Sequence, residues 1–189
     1  MNAWTLPTSA ILGGKEYEIV TDYRDILDVI KVMQDTGIAD FARSQVVLSL
    51  FYEDFDSIPP ELWKEAMQFM AVFINCGEEV HEDRRPHPKL IDWDQDRQAI
   101  VTDISRITGA DIRGLEYLHW WTFVAYYGAI GDGQLATLVS IRQKRARGKK
   151  LEKWEKEFYA EHREQIDFRP NYTAEEIKEQ ERLKKLLGE

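Results

Sequence analysis

A single cysteine, Cys76, occurs in the 189 residues, so no disulfide can form within the chain. The lack of disulfides fits a reducing compartment. No stretch reaches the roughly 18 consecutive apolar residues of a transmembrane helix, and the first residues carry neither a basic segment nor a long apolar run. We therefore expect no membrane span, no secretory signal peptide and an intracellular location.

Motifs of known catalytic or binding chemistry are also absent. The sequence has no phosphate-binding loop, nucleophile elbow or dinucleotide fingerprint. Cys76, His81 and His87 fit no four-ligand zinc pattern. Glu116 and His119 stand three residues apart, as an acid–base pair on one helix face would. No third group stands at a recognisable spacing, so we interpret the two as hydrogen-bonded partners at the edge of the core. The sequence therefore predicts a protein that is not an enzyme and holds no metal or cofactor.

Apolar periodicity predicts a mainly α fold, a single multi-helix domain. Residues 115–130 contain 12 apolar residues in 16 positions, which indicates a buried central helix around which the other helices pack. Trp120 and Trp121 point to adjacent faces of this predicted helix. They are interpreted as core anchors or, because aromatic residues are enriched at interfaces, as candidate contacts to a partner.

The two ends of the chain differ from this helical centre. Residues 4–20 predict a β-hairpin, because Gly13-Gly14 supplies the positive φ angles of a two-residue turn. We expect a helical domain over residues 1–167, which includes this hairpin and a charged linker at about 78–90. Residues 168–189 predict a charged C-terminal helix or tail.

A basic run between residues 142 and 153 contrasts with the overall charge of the chain, which is −9. Its cations are Arg142, Lys144, Arg145, Arg147, Lys149, Lys150 and Lys153. Nucleic acid binding favours a basic surface, and this run has no interleaved aromatic residues for base stacking. We therefore interpret it as a solvated helix end or a contact to an acidic protein surface.

The chain resembles a known family at several short sequence words. These are Trp93-Asp94-Gln95-Asp96, Leu118-His119-Trp120-Trp121-Thr122-Phe123, Ser140-Ile141-Arg142, Gly148-Lys149-Lys150-Leu151 and Glu155-Lys156-Glu157-Phe158-Tyr159, with looser similarity over residues 38–50 and 59–73. They are similar to the bacteriophage gene-product-fifteen family, which occurs in the tail modules of long-tailed phages and prophages of Gram-positive bacteria. The family has no agreed catalytic or binding residues, so the resemblance assigns none.

The genomic setting of that family implies a function. Its members are encoded beside the tape-measure protein, where tail-assembly chaperones are found. The resemblance thus implies a non-enzymatic chaperone that keeps the long apolar tape-measure chain soluble and releases it as tail-tube subunits polymerise.

The resemblance also implies partners and a location. The partners would be the tape-measure and tail-tube proteins, with self-association open. The location would be the cytoplasm of the bacterial host, with the protein absent from the mature virion. Two alternatives stay open: a structural tail or connector subunit whose hairpin pairs between copies, and a nucleic-acid-binding regulator that uses the basic run.

Overall fold

The computed structural model describes residues 4–78, 88–169 and 182, and within them the fold is mainly α with one short antiparallel hairpin. The predicted fold class is confirmed. The strands are β1 (Ser9–Leu12) and β2 (Lys15–Glu18). The helices are α1 (Tyr23–Gln34), α2 (Asp40–Phe51), α3 (Trp63–Ile74), α4 (Arg97–Thr108), α5 (Trp120–Gly128), α6 (Gln134–Ala146), α7 (Lys153–Glu161) and α8 (Arg163–Ile166). Single 3-10 turns at Phe55–Ser57, Pro60–Leu62 and Ile112–Gly114 lie in the connections.

The hairpin forms where the sequence predicts it. Gly13 and Gly14 make the turn with φ angles of 55° and 82°, the left-handed values that a two-residue hairpin turn favours. Strand alternation turns Ala10 and Leu12 inward, where both are fully buried. The Gly13 N–H donates to the Glu65 carboxylate of α3 at 3.3 Å. The hairpin therefore lies against a helix, which a two-stranded sheet needs for stability.

Aromatic contacts join the helices into one core. The ring of Phe51 on α2 lies 5.4 Å from that of Phe73 on α3, and Tyr23 of α1 stacks on Phe123 of α5 at 4.7 Å. Contacts between helices follow the order α2, α1, α5, α4, α6, α8, α7, with α3 against α2 and β1. Consequently α2 and α7 lie at opposite ends of the packing order.

The predicted central helix over residues 115–130 is too long, and it is less buried than expected. α5 has nine residues, and two of them are buried. Residues 115–119 are extended because the start of α1 binds them. Arg24 donates to two carbonyl groups of this segment, and Asp22 accepts the Leu118 amide at 3.0 Å. These bonds replace the helical ones that the apolar pattern alone predicts.

Two predicted features lie largely outside the described residues. The charged linker at about 78–90 includes residues 79–87, and the C-terminal helix or tail at 168–189 includes residues 170–181 and 183–189. The division of the chain into a helical domain and a tail therefore stays a prediction.

Candidate interaction surfaces

Trp120 and Trp121 attach the start of α5 to the end of α3. The Trp120 indole N–H donates to the Ile74 carbonyl at 2.9 Å, and the Trp121 indole N–H donates to the Phe73 carbonyl at 2.9 Å. The carbonyls of the last turn of an α-helix accept no amide hydrogen bond from within the helix. Here the two indole N–H groups donate to two of these carbonyls. Trp120 is only 3% exposed, whereas Trp121 is half-buried. The structure thus places Trp120 in the core, where no partner can reach it.

His119 caps α5, and both of its ring nitrogens are bonded. Its Nδ1 accepts the Trp121 backbone N–H at 3.0 Å, so the proton lies on Nε2, which donates to the Pro7 carbonyl at 3.0 Å. Burial lowers the pKa of His119, and the bond to Pro7 opposes this shift. Glu116 is exposed in the extended segment before α5. The predicted hydrogen bond between Glu116 and His119 is therefore wrong, because the two residues do not share a helix.

The first cation of the basic run, Arg142, is buried in an ion pair. Its guanidinium makes two hydrogen bonds to the Asp96 carboxylate, at 2.6 and 2.8 Å, and both side chains are almost inaccessible. It also donates to the carbonyls of Leu90, Gln165 and Ile166. The rigid fork of five donors suits arginine to such a site. Arg142 is therefore not available to a nucleic acid or to an acidic protein.

The neighbouring Gln95 extends this ion pair into a larger polar group. Its side-chain amide nitrogen lies within hydrogen-bond distance of three carbonyls between residues 164 and 167, the closest at 2.8 Å. Its amide oxygen accepts the Arg169 N–H at 3.0 Å. We call Gln95, Asp96 and Arg142 the C-terminal clamp, because together they hold residues 164–169 against the helical body.

Two further cations of the basic run are paired with carboxylates. Lys144 donates to Glu155 of α7 at 2.6 Å, and this bond holds the pKa of Glu155 below its ordinary value. Arg145 pairs with Asp167 and lies 4.2 Å from the centre of the Tyr159 ring. Both contacts tie α6 to α7 and the segment after it.

The rest of the run is exposed between the end of α6 and the first turn of α7, and we call residues 147–154 the basic loop. Its cations are exposed and pair with no carboxylate in the part of the chain that the structure describes: Arg147, Lys149, Lys150 and Lys153. Trp154, at the start of α7, is 55% exposed. It faces outward because the adjacent Glu155 occupies the inward position, where it meets Lys144.

The other end of the packing order exposes an apolar helix surface. On α2, Ala42, Val46 and Leu50 follow at a spacing of four residues and line one face. Val46 is 39% exposed and Leu50 40%, and Phe41 at the edge of this face is 69% exposed. We call Ala42, Val46 and Leu50, with Phe41 at their edge, the α2 face.

Acidic side chains frame the α2 face at both ends. They are Asp35 before the helix, Asp40 at its first position, and Glu53, Asp54 and Asp56 after it, all of them exposed. The three after the helix pair with no cation within the described ranges. Between residues 35 and 65, seven acidic residues stand against two basic ones. The surface therefore suits an apolar partner that also carries positive charge.

Sequence reasoning did not single out the α2 face. A helix that is apolar on several sides is typical of a core element, so periodicity does not distinguish its buried side from its exposed side. The signal that was available is the lack of charge: residues 44–52 contain none, although 31% of the whole chain is charged.

Metal binding and membrane insertion find no support among the described residues. Within them, no group of three or more histidine, cysteine, aspartate or glutamate side chains is placed to hold a metal ion. No described helix combines the length and apolarity that a bilayer crossing requires. Of the three residues considered as zinc ligands, His81 and His87 lie outside the described residues, and burial raises the pKa of Cys76.

Comparison with known proteins gives one family. The family described as Bacteriophage Gp15 protein matches residues 5–168. This range contains the hairpin, the α2 face, the basic loop and most of the segment that the C-terminal clamp holds. Comparison with curated proteins and with solved structures finds no match. The chain belongs to the bacteriophage Gp15 protein family.

Proposed function

We propose that the protein is a non-enzymatic chaperone of phage tail assembly that binds the tape-measure protein and keeps it soluble. Membership of a bacteriophage family supports a phage role, and the resemblance described above implies the tail module. The observation that carries the proposal is the α2 face, an exposed apolar surface without charge on an otherwise highly charged chain.

The α2 face has the chemistry to bind an amphipathic helix. A helix of the tape-measure protein would place its apolar side chains against Val46 and Leu50, with Phe41 at the edge, as in recognition of a helix by an apolar groove. The acidic frame would orient a client helix that has basic flanks. The formal charge of −9 would keep the loaded complex dispersed.

The ion pairs that the basic run makes with carboxylates favour this function over nucleic acid binding. Arg142, Lys144 and Arg145 each pair with a carboxylate, so within the basic run the cations of the basic loop remain for phosphate contacts. A few free cations on an acidic chain provide little of the electrostatic affinity that nucleic acid binding needs. We place the proposed activity in the cytoplasm of the bacterial host, before the mature virion forms.

Co-expression with the tape-measure protein, followed by a solubility assay and pull-down, tests the proposal. The wild-type protein is expected to raise the soluble fraction of the tape-measure protein and to co-purify with it. Val46→Lys/Leu50→Lys is expected to lose both effects, because it places two cations on the apolar face. Gln98→Lys/Thr102→Lys is the matched control, since it adds two lysines at the same spacing on an exposed side of α4.

Two results would contradict the proposal. If the wild-type protein neither binds the tape-measure protein nor changes its solubility, the chaperone function is wrong. If the protein is found in purified virions in a fixed amount, a structural tail subunit replaces the chaperone as the better explanation.

A further inference from the structure

Two exposed surfaces of opposite charge lie at opposite ends of the packing order. The α2 face is apolar and framed by acidic residues, whereas the basic loop carries unpaired cations and an exposed tryptophan. Over residues 143–156, seven basic residues stand against two acidic ones, the reverse of the balance over residues 35–65. The helices α1, α5, α4, α6 and α8 lie between the two surfaces in the order of contacts.

We propose that copies of this chain associate head to tail, with the basic loop of one copy bound to the α2 face of the next. The occupant of the α2 face in the unloaded protein is thus a second copy. Charge complementarity supports this choice, because the unpaired cations of one surface meet the unpaired acids of the other.

Trp154 provides the apolar part of the contact. It is 55% exposed beside the loop cations, and tryptophan is among the residues that contribute most to interface affinity. Trp154 would cover Val46 and Leu50, while Lys149 and Lys150 reach the acidic residues at the end of α2. The same contact removes apolar surface from water on both copies.

The contact joins two different surfaces, so each copy keeps one of each kind for a further neighbour. A heterologous contact of this type closes into a ring or extends into an open chain. Because its rim is electrostatic, the association should weaken as salt screens the charges. The inference does not rest on the chaperone proposal, since it concerns this protein alone, although a client helix would compete for the same face.

Sedimentation velocity or light scattering on the nuclease-treated full chain tests the inference. At low ionic strength, the average mass should rise with protein concentration above the monomer mass of 22.2 kDa. High salt should return it to that of the monomer. A nuclease-treated protein that stays monomeric at high concentration and low salt overturns the inference.

Paired variants locate the two surfaces. Val46→Lys/Leu50→Lys disables the α2 face, and Lys149→Glu/Lys150→Glu disables the basic loop. Each variant alone should remain monomeric, with folding checked by circular dichroism. Their controls, Gln98→Lys/Thr102→Lys and Lys15→Glu/Arg97→Glu, make the same changes of charge at exposed positions outside both surfaces and should associate as the wild type does.

Mixing the two disabled variants gives the sharpest result. Each variant retains the surface that the other lacks, so the mixture should form one contact and stop at a heterodimer of two chains. If both variants are monomeric and the mixture forms no heterodimer, the head-to-tail arrangement is wrong. If either variant alone associates as the wild type does, the surface that it alters takes no part.

Discussion

At the α6–α8 end of the packing order charged side chains are buried in ion pairs, whereas at the α2 end apolar side chains are exposed to water. Asp96 and Arg142 lie at the first end with almost no accessible surface. Val46 and Leu50 lie at the second end with about two fifths of their surface exposed. Both arrangements oppose the usual distribution of polar and apolar residues.

The difference separates a structural role from a binding role. A buried ion pair is costly to desolvate and is retained only where its geometry and further hydrogen bonds compensate, and the C-terminal clamp meets that condition through its bonds to backbone carbonyls. An exposed apolar face gains nothing in the isolated chain, and such patches mark interaction sites. We therefore expect variants in the clamp to change stability, and variants in the α2 face to change binding.

Asp96→Ala tests the clamp and carries the largest expected effect. It leaves the Arg142 guanidinium buried without its carboxylate, and removing one partner of a buried pair costs about 3–5 kcal/mol. Urea denaturation should show a loss of that size in the free energy of unfolding. A loss below about 1 kcal/mol, the range of exposed pairs, would mean that the clamp is not a buried structural element.

Arg145→Ala is the matched control for the clamp, because it removes an ion pair on the same helix. Arg145 and Asp167 are partly exposed, and exposed pairs contribute up to about 1 kcal/mol. The same urea titration should show this small loss. Equal losses for Asp96→Ala and Arg145→Ala would remove the distinction between the two pairs.

Gly133→Ala tests the N-terminus of α6, the helix that carries Arg142. A Cβ at residue 133 would lie 2.5 Å from the Asp103 carboxylate oxygens, and this buried carboxylate accepts the Leu135 N–H at 2.9 Å. Overpacking of this kind costs about 1–3 kcal/mol, measured as free energy of unfolding. Gly131→Ala is the control, since a Cβ there meets open space. If both variants are equally stable, Asp103 has room to move and does not determine the residue at position 133.

The cap of α5 should make stability depend on pH. The pKa of His119 in the folded protein lies below its ordinary value of 6.5. As the pH falls, the unfolded chain therefore binds a proton at His119 at a higher pH than the folded protein does. The contribution of neutral His119 to the free energy of unfolding is fully present at a pH above that ordinary value. This contribution is lost as the pH falls below it. Protonation would also place a hydrogen on Nδ1, where the Trp121 N–H now donates.

His119→Asn separates the cap from its titration. Asparagine supplies a side-chain oxygen for the same amide and does not titrate in this range. Urea titrations near neutral pH and about two units lower should show a larger loss of stability for the wild type than for the variant. Equal losses would assign the pH dependence to other groups.

Local signals in the sequence predict the elements that local chemistry determines. Gly13-Gly14 defines its turn, and in α1 the buried Tyr23, Ile26 and Ile30 stand three and four residues apart, the spacing of one helix face. The apolar pattern of residues 115–130 predicts a helix that includes residues 115–119, which the structure shows to be extended. Their hydrogen-bond partners, Arg24 and Asp22, lie more than 90 residues away in the sequence. A short stretch of sequence therefore cannot contain both the donor and the acceptor of these bonds.

The candidate site was predictable only in part for the same reason. The basic neighbours of Arg142 in sequence indicate a solvated cation, while its partner Asp96 lies 46 residues away. Lys149 and Lys150 were predicted as exposed cations, and the structure places them there. The exposure of Val46 depends on which side of α2 meets α1 and α3, and this is decided by packing across the whole fold.

The role of the α2 face is tested most directly by measuring stability and binding together in Val46→Lys/Leu50→Lys. We expect a free energy of unfolding within about 1 kcal/mol of the wild type, because each surface substitution usually changes it by up to about 0.5 kcal/mol, together with loss of tape-measure binding in the co-expression assay. A variant that binds the tape-measure protein as the wild type does would contradict the assignment of the α2 face as a binding surface. A variant that loses stability as Asp96→Ala is expected to do would show that the α2 face belongs to the folded core.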